Sequence, residues 1–398
     1  MLIQIESPAS RNRGRTGIAL FALGFRPFYL AAAVFGALAI AWWWAEFTLG
    51  LSRPAHLAGT LWHAHEMVFG FAVAVVAGFL LTAAQTWTGV ATPSGWPLAA
   101  LVVAWLAGRL AMWWYGPLWA WVDLLFLPLV AGALWRVLVK SGNRRNYFLL
   151  VLLAVLTACN ALFHASVNNW LGWSGYSAIR AVHVALFLMV VLITVIGGRV
   201  MPMFTANAVA GVRQYKRVWL DRLTIALTVL GLVLFVMPLQ LPGALALLLA
   251  AALHVVRLVG WGALASRRKP ILWILHLSYA WIPAGLVLLA LCAIGVISAS
   301  AALHALAVGA VAGMMLGMMT RTSRGHTGRP MQAGTLEVTA YVCIHLGAVA
   351  RVAAGFVPAE GYAPMISLAA GLWVVAFTLF VVTFTPFLLM QRQDGKAG

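Results

Sequence analysis

Long apolar runs, separated by short polar turns, fill the chain from residue 28 to residue 390. A bilayer core about 30 Å thick is crossed by about 20 apolar residues rising 1.5 Å each in a helix. The pattern predicts twelve such spans, near 28–50, 60–85, 95–115, 117–139, 146–168, 176–197, 218–238, 241–265, 270–294, 300–320, 335–356 and 364–390. Gly, Pro and charge mark the breaks, as at Gly116-Pro117, Ser141-Gly142 and Arg267 to Pro270. No span is visibly interrupted, and no polar stretch is long enough for a soluble domain. The predicted fold is an all-α polytopic membrane protein. A cytoplasmic basic tail (1–20) precedes a single twelve-helix membrane domain (21–391), and a short cytoplasmic tail (392–398) follows.

Polar residues inside such runs are costly in hydrocarbon, so they draw attention as functional groups. The second span opens WHAHEMVFGF from Trp62, placing His63, His65 and Glu66 at its start. Positions 63 and 65 are about 200° apart on a regular helix, so the two rings point to opposite sides and do not share one ion. His65 is followed by Gly70, Gly78 and Thr88-Gly89; His304 is followed at the same offsets by Gly309, Gly317 and Thr327-Gly328. His183 opens a third apolar run, 118 residues after His65 and 121 before His304. This spacing is read as a threefold repeat of about 120 residues, giving three pseudo-repeated four-helix arcs. The period is longer than that of solenoid repeats.

Charge supplies orientation. The chain carries 26 Lys and Arg against 8 Asp and Glu, a formal +18. Twenty-one of those bases, among them Arg11, Arg13, Arg15 and Lys396, fall at the two ends and in alternate loops. That distribution puts both termini in the cytoplasm and accounts for the charge without a nucleic-acid partner. The N-terminus lacks a small-residue cleavage site and reads as an uncleaved anchor. Cys159, Cys292 and Cys343 stand alone, with no CxxC or CxxCH, so neither a thiol redox pair nor covalent haem is indicated.

On this topology His63, His65, His183 and His304 lie at the outer ends of spans 2, 6 and 10, and His164 ends span 5 on the same side. His345 is mid-span. A single histidine at such a depth is explained by water and head groups. Several at one depth and one repeat spacing point to metal or haem ligation, since neutral imidazole suits iron and copper. His164 and His345 are equally well read as packing residues. Glu66 and Asp123 are candidate proton carriers, and Glu66 is also placed to orient a histidine. Arg26, Arg199, Arg321 and Arg329 occur in three cytoplasmic segments where helix stops and positive-inside charge explain most of the pattern. They are also candidates to pair an anion such as a haem propionate, with Arg180 the outer-side candidate for the same role. The methionine pairs around Met314 to Met319 are read as gap fillers.

Several motifs carry a family resemblance: LGFRPFYL from Leu23, WHAHEMVFGF from Trp62, GFLLTA from Gly78, GGRVMPMFTAN from Gly197 and MTRTSRGHTGRP from Met319. Together, over residues 20 to 390, they resemble the NnrS family. The resemblance implies a haem- and copper-containing membrane protein linked to nitric oxide handling in denitrifying and nitrosatively stressed bacteria. A more distant likeness is to subunit I of haem–copper oxidases and nitric oxide reductases, which also place metal histidines on spans 2, 6 and 10. The chain departs from that pattern in having no His-His pair in span 7 and in carrying HxH on span 2. That departure argues against a full haem–copper centre.

The combined expectation is a bacterial inner-membrane protein with non-covalent, b-type haem and possible copper. It would bind or transform nitric oxide, or protect against it, at a histidine-lined site in the outer half of the membrane. Its expected partners are nitric oxide or a related small molecule and the lipid bilayer; the sequence identifies no redox partner. A cofactor-free transporter or exporter, and a protein that delivers haem or copper, are the rival readings.

Overall fold

In a bilayer every backbone N–H and C=O must be satisfied within the protein, which leaves helices as the solution for runs this apolar. The computed structural model describes residues 17–54, 57–170, 172, 178–237 and 239–395. Arg11, Arg13, Arg15 and Lys396, used above for topology, lie outside them, as does most of each predicted tail. Among the described residues there are twelve helices long and apolar enough to span a membrane, and no strand. They are α1 (Phe25–Leu49), α2 (Gly59–Thr88), α3 (Trp96–Trp114), α4 (Pro117–Lys140), α5 (Arg144–Val167), α6 (Ala178–Ala208), α7 (Val218–Val236), α8 (Gln240–Gly260), α9 (Pro270–Ala293), α10 (Ala299–His326), α11 (Thr335–Ala353) and α12 (Ala359–Leu389). Proline in the first turn starts α3, α4 and α9, where its missing N–H costs no hydrogen bond.

The bundle is centred on α2, α6 and α10. Their apolar windows are 83%, 61% and 78% buried, whereas α7 is only 28% buried and faces outward. Packing of α2 on α6 and of α6 on α10 forms the central seam. The outer helices surround it, and α1 closes against α12. Next to that closure the Ala19 amide donates to the Leu389 carbonyl at 2.7 Å, so the two described ends of the chain lie together.

Two features differ from the expected spans. Gly197-Gly198 and the MTRTSRGH segment are not helix stops: α6 runs on to Ala208 with Pro202 inside it, and α10 runs on to His326. Glycine and proline are tolerated within membrane helices because neighbouring elements satisfy the freed backbone groups, so they mark span ends less well than in water. The second difference concerns continuity. α2 becomes π-helical over Glu66–Ala72, directly after His65, and α10 does so over Ala305–Ala312, directly after His304. Such stretches are rare and concentrate at functional sites. They coincide with Gly70 and Gly309, which share one offset from their histidines. α6 has no such stretch.

Gly309 also shows how α9 and α10 pack. A Cβ there would overlap the Trp281 indole, so the glycine lets the ring lie against the α10 backbone.

Candidate functional site

His63 and His65 point to different sides of α2, and each side builds a different site. On the first, His63 of α2, His183 of α6 and His304 of α10 line one cavity of about 480 Å³. That volume lies within the range of about 300–1,000 Å³ usual for small-molecule and cofactor sites. The walls are mostly apolar, including Trp43, Phe71, Leu186 and Trp373. The Trp43 ring stacks on His63 at 4.4 Å between centroids. The His63 and His304 rings are nearly parallel, 9° apart in plane and 6.4 Å between centroids.

Tautomer can be assigned at His304. Its Nδ1 is 2.8 Å from the Ser300 carbonyl, which only accepts, so Nδ1 holds the proton and Nε2 keeps a lone pair. His63 Nδ1 is buried without a hydrogen-bond partner. Arg351 of α11 also lines the cavity. Its Nη2 donates to Ser300 Oγ at 2.8 Å, while Nη1 is buried without a partner. An unpaired buried polar atom costs about 1–3 kcal/mol, a cost that a bound group with a matching atom would remove. The orphaned Arg351 donor and the apolar walls fit a haem carrying a carboxylate.

Arg180 is exposed and is not among the residues that line the cavity, whereas Arg351 is. The sequence did contain a signal for Arg351, an arginine inside an apolar span being itself a site indicator.

The other side of α2 holds a buried polar cluster. His65 Nδ1 is 2.8 Å from Glu66 Oε1, and its Nε2 is 2.8 Å from Asn160 Oδ1 and 3.4 Å from Asp123 Oδ2. Both ring nitrogens therefore face oxygen acceptors, the hydrogen-bonding pattern of an imidazolium. Arg109 of α3 donates to Glu66 Oε1 at 2.5 Å and to Asp123 Oδ1. Asp123 Oδ2 accepts from Asn160 at 2.8 Å and from His164 Nε2 at 3.0 Å. His164 Nδ1 lies 3.3 Å from the Tyr115 hydroxyl, which accepts from Asn168 at 2.9 Å. Burial pushes the Tyr115 phenol up to about 12, so at neutral pH it is a protonated donor to His164. Two carboxylates against one guanidinium leave room for one more positive charge, a proton or a metal ion. One ligand atom each from His65, Asp123 and His164 lie within 4.8 Å of one another, so the group could hold a metal. Gly108 makes room for this cluster, since a Cβ there would sit 2.9 Å from Asp123 Oδ1. Arg109, Asn160 and Tyr115 escaped the sequence reading. Arg109, alone in an otherwise uncharged span, was the available clue.

The remaining candidates are engaged elsewhere. His345 accepts from Trp281 Nε1 at 3.1 Å and lies against Gly313, outside the histidine cavity. Arg26 donates to the carbonyls of Leu388 and Met390 at 2.9 and 2.8 Å, holding the last turn of α12. Arg199 donates to Asn146 at 3.2 Å and covers Phe148. Arg321 lies 3.8 Å over the Phe204 ring, and Arg329 lies 3.8 Å over Phe387. These four have helix ends and rings as neighbours, Arg26 and Arg329 both at the end of α12.

Comparison with curated proteins finds no match. The family described as NnrS protein matches residues 19–392, nearly the whole chain and all twelve spanning helices. The chain belongs to the NnrS family.

Proposed function

We propose that this protein binds haem in the cavity of His63, His183 and His304 and uses it to bind or transform nitric oxide in nitrosative-stress defence. The family supports a nitric oxide response membrane protein. The single observation that carries the finer reading is that three imidazoles from the three central helices meet at one apolar cavity, two of them parallel and 6.4 Å apart. His304, whose Nε2 keeps its lone pair, would hold the iron with His63 and His183 beside it, and Arg351 would pair a carboxylate of the cofactor. When bound, haem supplies an iron with a position open to a diatomic ligand. The aromatic and aliphatic walls keep water from that position, and Trp43 fixes the plane of the His63 ring.

Copper, the second cofactor implied by the family, has a fitting donor set in His65, Asp123 and His164. With no ion there, Glu66 and Asp123 act as proton carriers. The bonds from Tyr115 through His164 and Asp123 to His65 and Glu66 provide the route. We place the protein in the bacterial inner membrane with both termini cytoplasmic, which sets both sites in the outer half.

The test is the absorption spectrum of the purified protein before and after nitric oxide. A haem band that shifts with the gas, and that is lost in His304→Ala, is expected. A folded protein with no haem band would overturn the proposal. Substrate flux through metal-free liposomes would then favour a transporter.

A further inference from the structure

The α2–α6–α10 seam does not end at the histidine cavity. A second cavity of about 70 Å³ follows it, lined by Val75, Val76 and Phe79 of α2, Ile196 of α6 and Met314 and Met315 of α10, among others. The register places it directly beyond the first. On α2 the histidine cavity ends at Ala72 and the chamber begins at Val75; on α10 the step is from Val311 to Met314; on α6 Met189 lines both. Each step is about one helical turn.

We infer that this chamber is a store for a small uncharged gas molecule beside the histidine cavity. No charged side chain lines it, and Tyr29 is the only lining residue with an oxygen- or nitrogen-bearing side chain. On the same measure a water needs about 10–15 Å³, so a chamber of about 70 Å³ is large enough for a diatomic. Apolar linings take up apolar guests such as xenon, because water finds no partners against them.

The methionines raise a competing occupant, since thioethers hold cuprous ions. A cation there would lie in the membrane interior with no acid against it, which disfavours it strongly. An uncharged guest carries no such cost. Naming nitric oxide as the natural guest rests on the function proposed above; the chamber itself does not.

Xenon is the probe. Crystals of the whole protein under xenon pressure should show an anomalous peak between Met189, Ile196 and Met315. Ile196→Trp, or Val76→Phe as a second filling variant, should lose that peak while leaving the histidine cavity unchanged. No peak in the wild type, an ordered water in the chamber, or tight silver(I) binding at its methionines would each overturn the inference. Flash photolysis of the nitric oxide complex adds the functional arm: the filling variants should lose the fast internal rebinding phase. A xenon peak without any such effect would leave the chamber standing and remove nitric oxide as its guest.

Discussion

Replacing Arg109 with methionine removes the one guanidinium from the polar cluster, and the geometry sets what should follow. Arg109 bonds two carboxylates, Glu66 at 2.5 Å and Asp123, and all three side chains are almost wholly buried. Removing one partner of a buried ion pair costs about 3–5 kcal/mol, because the other charge is left uncompensated. Arg109→Met strands two carboxylates, so its cost lies at or above the top of that range. Asp123→Leu leaves Arg109 paired with Glu66 but strips Asn160 and His164 of their acceptor, a loss of about 3–5 kcal/mol. The double variant removes a charge of each sign together, and should fall short of the sum of the single costs by about 0.5–3 kcal/mol. Asp394→Asn, at the more exposed Arg392–Asp394 pair, is the control and should cost at most about 1 kcal/mol. The assay is equilibrium unfolding in mixed micelles with rising SDS, followed by circular dichroism. Additive single costs, to within about 0.5 kcal/mol, or an Arg109→Met variant no weaker than the control, would refute the reasoning.

Further outcomes follow from the same geometry. His63→Ala and His304→Ala should each disturb the haem spectrum, whereas His276→Ala should not, since His276 is bonded to Thr205 at 2.9 Å and lies outside the cavity. Arg351→Met should weaken cofactor retention about ten- to hundredfold, the value of a charge-assisted hydrogen bond of about 1.5–3 kcal/mol, and Arg180→Met should leave it unchanged in the same competition assay. Gly309→Ala should lower stability by about 1–3 kcal/mol in the micelle assay by driving a methyl into Trp281, while Gly371→Ala, with open space at its Cβ, should not. Asp123→Asn should lower the second metal content measured by elemental analysis without changing the haem content.

The hydrophobic pattern carried most of the fold, because spanning a bilayer forces one answer on each long apolar run. Helix ends were harder. Gly197-Gly198 and Pro202 are stops by the rules of soluble helices, yet α6 passes through them to Ala208. The division of His63 from His65 could be read from helical geometry alone. Arg351 and Arg109 could not be placed that way, since which helices face one another depends on packing across hundreds of residues. The offset shared by His65–Gly70 and His304–Gly309 was visible as spacing. Its physical expression, a π-helical stretch after each histidine, required the backbone.

The most direct measurement is the number of haem groups per chain in the purified wild type, set beside the His63/His183/His304 triple alanine variant. One haem per wild-type chain and none in a triple variant that keeps its helical circular dichroism is the predicted result. Equal haem content in the two proteins, or none in either, would contradict a cofactor held by the three imidazoles.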